Sequence, residues 1–348
     1  MKLTYQLSIL LITVMLLVTG CLRVKEDESG GWEHPLTKKG RLHSPLVEVD
    51  PFVFNDEFYL LENWRSGWDW PNQPGHTSVI NHEMWIAHLP NGPEDYNGRR
   101  YISAALTENT LGTAIVWENR VYVFGVNAAN GNQYVDMTWS DDLKRWSAPL
   151  KVLDSHVGDI FNVSLTRDDK GFVFLWETNG VGTPFTMCFG RLDSLTDNWN
   201  DHIIVNAHYG KQKYTGGPAV FYEDGWYYLL YLEALNTGWE TRITRSLDLI
   251  NWKDASEDRP FITFNTDHKN VPLLAPEVKE INASDPGLTY YDGQVIVYFT
   301  GSNQKVAGDL QWATFNGTIQ ELMESFFVKT EIPLTKLQTS IGMPSIKF

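Results

Sequence analysis

Cysteine is nearly absent. Two residues in 348 are too few for a disulfide scaffold or a Cys-rich metal site. Positive charge is scarce as well: 28 Lys and Arg face 43 Asp and Glu, for a formal net charge of −15. No basic stripe exists to release counterions from a phosphate backbone, which excludes nucleic-acid partners. Walker, Rossmann, zincin and Gly-x-Ser-x-Gly patterns are missing. Charged residues make up only 20% against 43% hydrophobic, a balance that excludes a disordered chain and allows a sizeable core. Aromatic residues, by contrast, are abundant, with 14 Trp and 15 Tyr, and glycine stands at 27. That surplus suits an all-β protein whose ring faces can stack on sugars.

The N-terminus reads as a targeting segment. Lys2 precedes the apolar run Leu7 to Val18, which ends in Val18-Thr19-Gly20-Cys21. A basic start, a short apolar core and small residues at the cut are the marks of a secretory signal. The run is short for a membrane span, the alternative reading. Cys after a small residue resembles the bacterial lipobox, which implies a signal peptide over 1–20 and a lipidated Cys21. Lys25-Glu26-Asp27-Glu28, followed by Ser29-Gly30-Gly31, resembles the export tag of Bacteroidetes surface lipoproteins. The expected location is therefore the outer membrane or cell surface, with contact to the membrane through the lipid only. Residues 21–44 are expected to be a flexible tether. Cys188 lies among Phe185, Met187 and Phe189 and reads as a small buried hydrophobe.

The rest of the chain, 45–348, is built on a repeat. Five copies carry a short apolar strand, a tight turn and a second strand rich in Val, Tyr, Phe and Leu: Pro51–Glu62, Thr113–Gly125, Val163–Glu177, Pro218–Glu233 and Gly287–Thr300. Each is a β-hairpin signal. Ser140-Asp141-Asp142-Leu143-Lys144-Arg145-Trp146 and Ser246-Leu247-Asp248-Leu249-Ile250-Asn251-Trp252 repeat an S-x-D-L-x-x-W tail, and the third copy keeps a degraded version ending at Trp199. Asp142 and Asp248 read as turn formers. Five repeated small sheets predict a five-bladed β-propeller, in which radial repetition protects the sheet edges and terminal segments pair into the last blade to close it. Two β-sandwich domains would leave the recurring tail unexplained.

The blade pattern, these tails and the opening Asp50-Pro51-Phe52-Val53 resemble the five-bladed propeller glycoside hydrolases, families 43, 32 and 117 nearest, over roughly residues 45–328. The resemblance implies a hydrolase acting on chain ends or short oligosaccharides, with its site in the axial funnel at the N-terminal end of the inner strands. Plant or algal glycans are the expected substrates. Such propellers often hold a cation on the axis, but no ligand set in this sequence identifies one.

Glycoside hydrolysis usually needs two carboxyl groups. Two sets of positions should face the funnel. Asp50, Asn162, Gly216-Gly217-Pro218 and Asp285 open the copies; Glu62, Glu177 and Glu233 end their hairpins. Asp50 matches the family's general base. Asn162 stands where family 43 usually has an Asp, and Gly216-Gly217-Pro218 where it has an acidic Glu-Gly-Pro, so an acid must come from elsewhere. Glu233 and Glu240 are the first candidates and Glu177 the third; apolar neighbours could raise the Glu233 pKa. Arg242 shares a strand face with Glu240 and could pin a substrate carboxylate or pair with that Glu. Asp285 repeats the Asp-Pro step of Asp50 and could orient the base or bind a hydroxyl. Trp239, Trp68 and Trp70, with Trp64, are candidate sugar platforms, and Asn162 a binding residue. His76, His82 and His88 recur evenly but in a Gly- and Pro-bearing region that argues against a shared metal. A non-catalytic glycan-binding lipoprotein and a glycoside phosphorylase are the competing functions. The second would need basic side chains in the funnel.

Overall fold

The computed structural model describes residues 32–42, 44, 46–64, 82–155, 158–181, 185–210, 214–264, 280–301 and 310–327. Cys21, Trp68, Trp70 and His76 lie outside the described residues. A short strand, β1 (Thr37–Arg41), comes first. Blade one follows as β2 (Val49–Phe54), β3 (Glu57–Trp64), β4 (Glu83–His88) and β5 (Arg100–Thr107). Blade two is β6 (Asn109–Trp117), β7 (Arg120–Asn127), β8 (Tyr134–Ser140) and β9 (Leu150–Asp154). Blade three is β10 (Ile160–Asp168), β11 (Gly171–Thr178), β12 (Thr186–Leu192) and β13 (Ile203–Tyr209). Blade four runs β14 (Thr215–Glu223), β15 (Trp226–Ala234), β16 (Trp239–Ser246) and β17 (Trp252–Asp254). Blade five is β18 (Asn282–Tyr291), β19 (Gln294–Thr300) and β20 (Leu310–Asn316), with β1 as its outer strand. The chain is a five-bladed β-propeller, and each predicted hairpin is the inner strand pair of one blade.

Turn chemistry fixes these hairpins. Asn55-Asp56, Glu118-Asn119, Asp224-Gly225 and Asp292-Gly293 all sit at positive φ, the two-residue geometry whose twist matches that of the flanking strands. Alternation then gives each blade two apolar faces, and the cores lie between neighbouring blades. Phe124, Phe174 and Trp199 join blades two and three, while Val173, Leu175, Leu229 and Tyr231 join three and four. Trp199, the residue of the degraded tail, is fully buried and stacks on Phe174 at 4.4 Å. Cys188 lies in the same core, where burial pushes its thiol up to about 12.

The two S-x-D-L-x-x-W tails are one structure made twice. Asp142 Oδ1 accepts from the backbone N–H groups of Lys144 and Arg145, and Asp248 Oδ1 from those of Ile250 and Asn251. Leu143 and Leu249 are buried at positive φ. Both Asp residues are turn formers. The donated hydrogen bonds hold both carboxyls below the usual range, Asp248 at about 2 even against its partial burial.

Residues 37–41 correct the expected tether. They are not a solvated leash but the outer, closing strand of blade five, because their backbone groups pair with those that β20 presents on its free side. Thr37 to Arg41 pairs antiparallel with β20. Arg41 forms a buried ion pair with Glu280, whose other oxygen accepts from Gln311 Nε2 at 2.8 Å. Removing one partner of such a pair leaves a buried charge and costs about 3–5 kcal/mol. Glu280→Ala is therefore expected to lower Tm by roughly 10 °C in a thermal melt. A shift of a degree or two would show that the ion pair does not hold the closure.

A short helix, α1 (Ile319–Glu324), starts from a capping box between Thr318 and Glu321. Its Glu324 accepts from Arg245 Nη1 at 2.7 Å and from the Tyr228 hydroxyl, which ties it to blade four.

Candidate functional site

The inner strands of all five blades surround one axial cavity of about 280 Å³. Three side chains that open the repeats, Asp50, Asn162 and Asp285, line it together with Glu48. β-Bulges create this end of the cavity. The register slips between Thr110 and Thr113, Ile160 and Val163, Gly216 and Ala219, and Ser284 and Gly287. Gly112, Asn162, Gly217 and Asp285 fall inside those slips. An extra residue re-aims side chains and leaves backbone groups unpaired by the ladder, so polar groups converge where regular strands would present a sealed apolar ring.

Asp50 is anchored by the next blade. Its Oδ2 accepts from Thr113 Oγ1 at 2.7 Å and from the backbone N–H of Ala114 at 2.8 Å. Burial pushes its carboxyl up to about 6, and those two hydrogen bonds offset part of the rise.

Glu177 is the one hairpin-end Glu that reaches this cluster. Alternation along β11 puts Trp176 into the core with blade two and Glu177 on the face toward blade four. Its Oε2 accepts from Asn162 Nδ2 at 2.8 Å and from the backbone N–H of Gly217 at 3.2 Å. A Cβ built on Gly216 would lie 3.0 Å from Glu177 Oε1. The Glu177 carboxyl thus occupies the space that a side chain at position 216 would enter. Burial pushes it up to about 8; the Asn162 and Gly217 donors lower it, while the Glu48 and Asp285 carboxylates raise it.

Glu233 and Glu240, expected first as the acid, are placed otherwise. They face each other across β15 and β16 on the strand face that also carries Arg242. The Arg242 guanidinium ion-pairs with Glu240 and lies 3.6 Å from Glu233. Neither Glu is among the residues lining the axial cavity; Glu177 is not one of them either, but it accepts from Asn162 and Gly217, which are. Burial raises the Glu240 carboxyl, against Arg242 and the Thr263 hydroxyl. Trp239 beside them opens β16, in parallel register with Asn282 of blade five. Arg242 thus takes the pairing role left open by the sequence. Glu62 is held similarly, by Arg99 at 2.8 Å and the Tyr101 hydroxyl at 2.8 Å. Trp64 donates to Glu62 and packs edge-on to Tyr101. His88 stacks on Tyr59 at 4.8 Å with its Nε2 3.4 Å from the Glu57 carboxylate.

Two cavity groups escaped the sequence reasoning. Glu48 sits two residues before Asp50, so strand alternation could have flagged it. It stands at positive φ, just ahead of β2. Thr113 carried no such signal, since its role depends on blade two docking beside Asp50. Among the described residues, no group of three or more His, Cys, Asp or Glu has a geometry that could hold a metal ion.

No protein-family model matches the chain, and no curated protein matches it in sequence. Solved structures do match its fold. An α-L-arabinofuranosidase from Podospora anserina, determined with cellotriose, aligns at a TM-score of 0.60 and 11% identity, over 81% of this chain and 97% of that one. The catalytic domain of a Coprinopsis cinerea GH62 α-L-arabinofuranosidase aligns at 0.60 and 10% identity, over 82% and 98%. The Bacteroides ovatus xyloglucan PUL protein GH43B aligns at 0.55 and 18% identity, over 80% of this chain and 54% of that one. At such identities the likeness is one of fold. It is the propeller fold that the repeats predicted.

Proposed function

We propose that this chain is a glycoside hydrolase with Glu177 as general acid and Asp50 as general base. The observation that carries the reading is a pair of carboxyls at one end of the axial cavity, Asp50 in its lining and Glu177 hydrogen-bonded to Asn162 and Gly217 of that lining, whose environments set them apart: Asp50 is pushed to about 6 and Glu177 to about 8. Near pH 7 the first is mostly ionised and the second mostly protonated, which is the division of labour that glycoside hydrolysis needs. The position of Glu177 beside Gly216 supports the same reading. A propeller hydrolase of family 43 is expected to carry its acid at the Glu-Gly-Pro step; here Glu177 supplies a carboxyl to that space from the neighbouring blade. The fold neighbours named as arabinofuranosidases give the class its context.

In this mechanism Glu177 donates its proton to the glycosidic oxygen as the bond to the anomeric carbon breaks. Asp50 takes a proton from the water that attacks the opposite face, so the product is inverted. A cavity of about 280 Å³ is at the small end of ligand sites and suits one terminal sugar. The reading is therefore exo-acting, on ends of plant or algal oligosaccharides, by a lipoprotein anchored through Cys21 at the cell surface. None of the described residues lining the cavity is Lys, Arg or His. That favours water over phosphate as nucleophile.

The rate should follow a bell. Activity should rise through about pH 6 as Asp50 ionises and fall through about pH 8 as Glu177 loses its proton, the two limbs belonging to the coupled pair. The test is a screen of neutral plant and algal oligosaccharides for released sugar, with the product anomer read by NMR. Glycan binding with no turnover would replace this reading with the binding-protein one. Release that depends on phosphate would replace it with phosphorolysis.

A further inference from the structure

Blade three carries a second cavity, on the face away from Glu177. Trp176 and Glu177 are consecutive on β11, so the ring lies toward blade two while the carboxyl lies toward blade four. Trp176, Cys188 and His208 stand directly opposite one another on β11, β12 and β13 and share that face. The outer strand then leaves the ladder. Cys188 pairs with His208 and Gly190 with Ile203, so Phe189 alone on β12 stands against Ile204, Val205, Asn206 and Ala207 on β13. A slip this large bows β13 off the sheet. The space it leaves is a cavity of about 290 Å³ walled by Leu153, Trp176, Cys188, Ile204 and Ala207. Protein interiors hold few voids larger than a water molecule. This one is about twice the roughly 150 Å³ apolar cavity that takes benzene. Its mouth is apolar as well, with Val181 39% exposed, Ile203 38% and Val205 87%.

The polar groups around the cavity are largely engaged. Asn200, on the one-turn helix Trp199–His202, donates to the Asp154 carbonyl at 2.8 Å and accepts from the Asp154 N–H at 2.9 Å. The Asp154 carboxylate takes Lys151, Ser155 donates to Gly158, and Thr178 accepts from the Gly180 N–H. A sugar would find few partners for its hydroxyls there. A flat ring fits better. Trp199, Phe174 and Trp176 form a stack with centroids 4.4 and 5.6 Å apart and planes 26° and 27° from parallel. Trp176 is the ring of that stack that lines the cavity, and the exposed His208 adds a polar side chain to the lining. We infer that this cavity binds a small uncharged phenol, whose single ring extends the stack and whose hydroxyl bonds the His208 imidazole. The site is separate from the axial cavity and does not rest on the hydrolase reading.

The probe is para-ethylphenol, titrated into the full chain carrying 13C-labelled cysteine, with the heat of binding measured alongside. The chain has two cysteines, and the Cys188 signal is assigned by its loss in Cys188→Ser. A bound ring should move that signal along one saturating curve, with a Kd of about 1 mM or below. Para-ethylcyclohexanol has a similar outline but no π-face and should bind about 2- to 10-fold more weakly. Ala207→Phe fills the cavity and should weaken the phenol at least roughly tenfold. His208→Ala, at an exposed position, should fold like the parent and weaken the phenol roughly 3- to 10-fold, while ethylbenzene binds as before. A Cys188 signal unmoved up to the solubility limit of the phenol would overturn the inference. So would equal binding of the cyclohexanol, or full affinity in a folded Ala207→Phe chain. Unchanged phenol affinity in His208→Ala would overturn it too, and that variant decides the matter where Ala207→Phe does not fold. The titration contains no glycan, so a chain that hydrolyses none can still bind the phenol, and an active hydrolase can fail to bind it.

Discussion

Glu177→Gln should lose hydrolysis by roughly 10²- to 10⁴-fold, the usual worth of a general acid, and should be more stable than the parent chain at pH 8. The two effects have one cause. Glu177 is buried among carboxylates, and its carboxyl is pushed from 4.5 to about 8. A carboxyl that holds its proton more tightly when folded stabilises the fold fully below the unfolded value near 4.5. That contribution is lost as pH rises through about 8. Each pKa unit corresponds to about 1.4 kcal/mol, so the contribution is on the order of a few kcal/mol. Gln keeps an acceptor for Asn162 and Gly217 but has no proton to lose, so its advantage should grow between pH 5 and 8. Denaturant melts at pH 5 and pH 8, beside rates on the same glycan, measure both halves. A variant that stayed active, or that was destabilised at pH 8, would show Glu177 to be an ordinary structural carboxyl.

The blades were legible in the sequence because their signals are local. Two-residue turns such as Asn55-Asp56 and Asp292-Gly293 fix a hairpin through their own φ angles, and Ser140 and Ser246 open tails whose hydrogen bonds stay within a few residues. Closure of the last blade by a terminal segment was expected, but that residues 37–41 provide it was not legible. Thr37-Lys38-Lys39-Gly40-Arg41 has little apolar character, and it becomes a strand only because β20 offers an unpaired edge more than 200 residues away. The site was half legible for a similar reason. Asp50, Asn162 and Asp285 were found because each opens a repeat. Which Glu serves the cavity could not be found, because Glu62, Glu177 and Glu233 all end apolar strands in the same way. Arg99 and Arg242 neutralise two of them in their own blades, whereas Glu177 meets Gly216 and Gly217, whose lack of side chains admits it. The two glycines that read as a missing acid are the space into which the acid fits.

Asp50→Asn should remove the acid limb of the same reaction. Thr113 and Ala114 both donate to Oδ2, so Oδ1 is the oxygen left to take a proton from water. Asn can turn its carbonyl to the same two donors and keep the anchor. Its amide then places N–H where the basic oxygen was, and an amide accepts no proton at these pH values. Hydrolysis should fall by at least roughly 10²-fold, and what remains should no longer rise through pH 6. Stability again carries a sign. The Asp50 carboxyl is raised from 3.8 to about 6, so its contribution is full below 3.8 and lost as pH rises through 6. The Asn variant should match the parent at pH 4 and equal or exceed it at pH 7. A strand-opening cap would behave differently, keeping the rate and the acid limb while losing about 1 kcal/mol of stability. Rates and melts at pH 5, 7 and 9 separate the two cases, and a near-normal rate with the limb at pH 6 intact would take the base from Asp50 and make Asp285 the next carboxylate to test.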